Sequence, residues 1–213
     1  MNDELSFALL ALTSFFTLIN PLGTMPVFMS MTASLTEKQR QNTAKKASIV
    51  SLFTIIAFAL TGQLLFKFFG ISVDSFRVVG GVIFFIMGMD MLQARLGQVK
   101  IKDNEVKSYI TDISITPLAI PMICGPGAIT NAIVLMEDAD SFTKQIILIV
   151  SVIIIMYITY LILYSSSKLI KMLGETGINV MMRIMGLIVM VIAVEFFFSG
   201  LKPLLLDILN EIP

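Results

Sequence analysis

Histidine and tryptophan are absent from this chain of 213 residues, cysteine occurs once as Cys124, and 14% of the residues are charged. Without histidine and with a single thiol, the usual ligand sets of zinc, haem and iron–sulfur centres cannot be assembled, so neither a metal nor a cofactor is expected. A disulfide within the chain is excluded for the same reason. Cys124 lacks an imidazole to take its proton and reads as a small packing residue rather than a nucleophile. The 15 basic and 15 acidic residues cancel, and with no basic tail or stripe there is no electrostatic footprint of a nucleic-acid partner. The start, Met1-Asn2-Asp3-Glu4, is acidic where a secretory signal is basic, so the first apolar segment is expected to be retained.

What the chain does have is apolar length. Hydrophobic residues make up 56% of it, and a helix crosses a bilayer with about 20 apolar residues. Charge-free stretches run from Leu5 to Thr36, Ala47 to Phe66 and Ile113 to Met136. Further spans are expected from near Phe76 to Leu92, Gln145 to Ser167, and Val180 to about Leu201. The expected fold is therefore an all-α polytopic membrane protein with six transmembrane helices, in direct contact with the lipid bilayer. The most polar stretch, with Arg95, Lys100, Lys102, Asp103, Glu105 and Lys107, divides it into residues 1–96 (spans one to three), a linker 97–112, and residues 113–213 (spans four to six).

Two of the six segments should be broken. Gly125-Pro126-Gly127 in the fourth removes an amide donor and adds pliable backbone, and Asn20-Pro21-Leu22-Gly23 interrupts the first. Non-helical backbone is not tolerated against lipid, so both breaks must be buried in protein or line a wet cavity. Paired interruptions in two halves point to a transporter's binding site near the midplane. The two prolines are 105 positions apart, and Gly70-Ile71-Ser72-Val73 with Arg77-x-x-Gly80 matches Gly177-Ile178-Asn179-Val180 with Arg183-x-x-Gly186 at offsets of 106 to 107. Six spans put four lysines and arginines on the side of the termini and 11 on the other. This bias places the termini outside the cytoplasm, and three spans per half then make a 3+3 inverted-topology repeat.

The Asn20-Pro21-Leu22-Gly23 run, Arg77-x-x-Gly80-Gly81 and Pro121-x-x-x-Gly125-Pro126-Gly127-Ala128-Ile129 closely resemble the motifs of the MarC family of bacterial inner-membrane proteins, over essentially the whole chain. The resemblance implies six helices with inverted repeats and, from characterised archaeal relatives, transport of small neutral amino acids such as glycine and alanine, coupled to protons. It also carries the family's binding positions onto Asn20, Pro21 and Gly23, and onto Gly125, Pro126, Gly127 and Ala128. Thr24, Thr130 and Asn131 lie just beyond.

The expected partner is a small zwitterionic solute: amides of Gly127 to Ile129 receive its carboxylate, and Asn20 with carbonyls near Leu18 holds its ammonium. Asn20 could equally serve only to cap the half-helix that follows it. Asp90 and Glu195 are candidate proton carriers as intramembrane acids, and equally interfacial or paired acids, since each stands near a helix end. Arg77 and Arg183 read as anchors or partners for acids. Gly80, Phe84 and Gly88 form a face for close helix approach, and the methionines of spans three and six read as adaptable core. An intramembrane enzyme, a sensor or an assembly factor is the competing class, although no nucleophile and base converge on chemistry. Assembly as a homo-oligomer is left open.

Overall fold

The computed structural model describes residues 3–93 and 112–210, so the expected linker lies outside the described residues except for Asp112. The described chain is helical: α1 (Asp3–Ile19), α2 (Pro21–Met31), α3 (Glu37–Phe69), α4 (Val73–Leu92), α5 (Ser114–Ile123, wound as a wide π-type helix), α6 (Pro126–Asp138) and α7 (Phe142–Asn210). Five helical stretches are long and apolar enough to cross a membrane, and six if the bent pair α5 and α6 forms one span. Large side chains such as Phe53, Leu64 and Phe68 are 68 to 78% exposed along α3, a surface that suits acyl chains rather than water.

Helix boundaries follow local chemistry. Thr36 and Gln39 form a reciprocal capping box at the start of α3, and Gly70 ends that helix with φ 64°. Buried Arg40 donates to the carbonyls of Thr32 and Leu35, each at 3.1 Å, closing the turn between α2 and α3. At the other end of the bundle, Lys144 Nζ bridges Asp3 at 2.7 Å and Asp140 at 3.0 Å, joining the start of α1 to the turn between α6 and α7. Glu137 shares a crevice there with Lys67 and Gly70 of the α3–α4 turn.

Several helices exceed the expected spans. α3 begins at Glu37 rather than Ala47, because its charged first turns are good helix formers and sit outside the apolar stretch. The expected loop between spans five and six is helical backbone, interrupted only at Gly174 (φ 63°, ψ −178°). The pivot is thus three residues ahead of Gly177, the glycine that the repeat pairs with Gly70.

α4 lies against the last third of α7 in an antiparallel pair with almost no side chain between the backbones. A Cβ on Gly81 would stand 2.8 Å from the Ala193 carbonyl, one on Gly88 2.9 Å from the Gly186 carbonyl, and one on Gly186 2.8 Å from the Gly88 carbonyl. Small residues are what permit this approach. The face expected from Gly80, Phe84 and Gly88 is divided: Gly88 meets α7, whereas Gly80 receives the Pro126 ring and Phe84 covers Gly125. That division brings α4 onto the interruption between α5 and α6.

A cavity between two helix starts

α1 stops at Ile19 because Pro21 cannot donate to the carbonyl of Thr17 and disfavours right-handed helix in the residue before it. Asn20 takes φ 46°, ψ 65°, a left-handed conformation that asparagine tolerates better than most residues. Its Oδ1 accepts the Gly23 N–H at 3.0 Å, and its carbonyl accepts the Thr24 N–H at 3.0 Å and the Thr24 hydroxyl at 3.1 Å. A Cβ on Gly23 would collide with the Asn20 amide. The new helix, α2, is buried at Pro21 and from Gly23 to Met31.

The second interruption is longer. Within α5, Thr116 (φ −127°, ψ 122°) and Ile120 (φ −124°, ψ 120°) are extended, each ahead of a proline. Gly125 is extended too, Pro126 opens α6, and the two segments meet at 56°. Glycine offers no side-chain cap. The Ile129 N–H donates to the Gly125 carbonyl at 3.0 Å, while the N–H groups of Gly127 and Ala128 precede the first helical acceptor and have no partner among the described residues.

Both helix starts face one narrow cavity. Thr17, Asn20, Gly23 and Thr24 line it from the first break and Gly127 from the second, with Phe84, Met87, Met91, Met122 and Phe196 closing the remainder. About 40 Å³ is open to the centre of a water-sized sphere, room for about three waters. No charged side chain lines it. The positive ends of α2 and α6, the negative end of α1 and a few unpaired backbone groups therefore set its electrostatics.

The sequence profile described as MarC family integral membrane protein matches residues 5–205. The chain belongs to the MarC family. A UPF0056 membrane protein of Pyrococcus horikoshii is 41% identical over 95% of this chain and 98% of its own length. UPF0056 membrane protein YvbG of Bacillus subtilis is 34% identical over 92% of this chain and 95% of its own, and YhcE of Escherichia coli is 33% identical over 92% of each. No solved structure matches it. As a MarC-family protein, it is an integral, multi-pass membrane protein.

Of the residues singled out in this MarC-family sequence, Asn20, Gly23, Thr24 and Gly127 share the cavity wall; Pro21, Gly125, Pro126, Ala128, Ile129, Thr130 and Asn131 do not line it. Those seven shape its surroundings. Asn131 Nδ2 donates to Ser14 Oγ at 3.0 Å, tying α6 to α1, and Leu18 packs on Gly127. Thr130 Oγ1 is buried without a partner. Asp90 is half-buried near the end of α4, Glu195 is exposed on α7, and neither reaches the cavity. Arg77 pairs with Asp74 at 3.0 Å. Phe196, on α7, belongs to no motif, and Met122 stands at a variable position within the Pro121-x-x-x-Gly125 run. Phe84 was marked only by its spacing between two glycines.

Proposed function

We propose that this protein is a secondary transporter of small neutral amino acids, of the glycine and alanine class, that works by alternating access. The observation carrying the reading is the single cavity bounded by the starts of α2 and α6. The amide of Gly127 receives the substrate carboxylate; Ala128 does not line the cavity. Ile129 drops out of that role because its N–H is already used. Asn20 Oδ1 is occupied by Gly23, which leaves its Nδ2 as a further donor to the carboxylate, and the ammonium goes to the Thr17 carbonyl freed by Pro21 at the negative end of α1.

The wall without charges selects a net-neutral solute, since a lone buried charge would cost several kcal/mol. Phe84, Phe196 and Leu18, packed around Gly125 and Gly127, limit the side chain to hydrogen or methyl. In this reading spans one to three and four to six form an inverted 3+3 repeat in the inner membrane with both termini outside the cytoplasm. The antiparallel contacts of α1 with α6, Ser14 to Asn131 and Leu18 to Gly127, support it. Rocking of one half against the other opens the cavity to either side.

Uptake of a panel of labelled amino acids into proteoliposomes, with and without a pH gradient, is the test. Accumulation of glycine and alanine above leucine and glutamate is expected; binding without flux, detected as solute-dependent thermal stabilisation, would replace the carrier with a sensor or enzyme. Asp90→Asn and Glu195→Gln in the same assay decide proton coupling: either acid carries the proton only if its variant loses the response to the gradient while keeping exchange.

A further inference from the structure

A second, wider groove lies on the outer face of the bundle between α3 and α7. Lys45, Ser48 and Leu52 line one wall, Ile153, Met156 and Tyr160 the other, and about 320 Å³ is open to the centre of a water-sized sphere. Its depth in the membrane follows from the sequence. The charge-free stretch from Ala47 to Phe66 is about 30 Å long as a helix, the thickness of a hydrocarbon core. Lys45 therefore sits at the boundary between acyl chains and headgroups, and Ser48 just beneath it. Tyr157, Tyr160 and Tyr164 stack at 6.5 and 5.7 Å between centroids along α7; tyrosine is enriched at this level.

Two features mark the groove as built for an occupant. Ser48 is 6% exposed and its Oγ has no hydrogen-bond partner, which is costly unless a ligand supplies one. Lys45 has no ion pair among the described residues, and no carboxylate lines the groove. A free cation at headgroup depth, an unpaired hydroxyl a turn deeper and an apolar trough below reproduce the polarity profile of one lipid.

We propose that this groove binds an anionic phospholipid, its phosphate on Lys45, an ester or phosphate oxygen accepting from Ser48, and an acyl chain along Leu52, Ile153 and Met156. The proposal is independent of what the central cavity carries. Native mass spectrometry of the full chain in detergent, with equimolar dioleoyl phosphatidylglycerol and dioleoyl phosphatidylcholine, tests it. One phosphatidylglycerol should be retained with about fivefold preference, the factor for one lysine at a membrane surface. Lys45→Arg should keep the preference, Lys45→Ala should bring it to parity, and Leu52→Trp should reduce retention of both lipids. Equal retention of the two by the unaltered protein overturns the proposal, whether or not any variant folds. So does efficient cross-linking of two copies through cysteines placed at position 52 in a Cys124→Ala background, because the groove would then belong to a second chain.

Discussion

The two interruptions differ in how they treat the backbone they free. At the first, one residue leaves the helix and at once repairs the damage: Asn20 caps Gly23 with its side chain and Thr24 with its carbonyl. At the second, extended residues recur from Thr116 to Gly125, the axis turns by 56°, and glycine at the cap position leaves Gly127 and Ala128 unsatisfied. The first break is a self-contained joint, and the second is held from outside by α4 and retains unmet donors. The second offers an uncapped backbone amide and the first a side-chain amide, Asn20 Nδ2, so the two make unequal contributions to one cavity.

Substitution at the cap positions should separate them most. Gly125→Ala would drive a methyl group into the Phe84 ring and to 2.5 Å from the Pro121 carbonyl, and overpacking against backbone costs about 1–3 kcal/mol or more. A large drop in thermal stability in detergent is expected, partly rescued by Phe84→Leu. At the first break Asn20→Ala loses the cap, about 1 kcal/mol, and strains a left-handed residue by about as much again. Asn20→Gly should cost only a few tenths. Equal losses for alanine and glycine would show that the conformation at position 20 is not what the structure assigns.

Smaller effects sharpen the contrast further. Asn20→Asp keeps an oxygen to cap Gly23 but replaces the free amide with a carboxylate oxygen that repels an anion, so affinity for a carboxylate should fall by at least about tenfold, the worth of the lost hydrogen bond to a charged group; unchanged affinity would confine Asn20 to capping. Asn131→Ala removes the bond to Ser14, and interhelical bonds of this kind average about 0.6 kcal/mol. A shift near the limit of detection in thermal stability is expected, and a large one would mean that α1 and α6 are held together mainly by this pair.

Much of this was legible beforehand, for reasons that particular residues make clear. Pro21 and Pro126 lack an N–H wherever they occur, so helix starts at both could be read directly, as could the burial of the backbone around them in an apolar chain. The extended residues upstream, Thr116 and Ile120, could be read the same way, since each directly precedes a proline. The engagement of Ile129 was hidden because counting free amides requires the cap position, which the structure places at Gly125. Gly174 carries no such signal: Gly177 is the glycine that aligns with Gly70, and a pairwise match does not indicate which glycine takes positive φ.

In the proposed transporter the uncapped Gly127 amide holds the carboxylate of a small zwitterion beside Asn20. Uptake of labelled alanine into proteoliposomes by the unaltered protein and by Gly127→Leu, with equal amounts of folded protein inserted, tests it most directly. The leucine side chain extends past Leu18 toward the Phe196 ring, 3.1 and 3.5 Å from where its Cβ would stand, and should abolish saturable uptake. Alanine transport that survives Gly127→Leu with an unchanged KM would contradict the account.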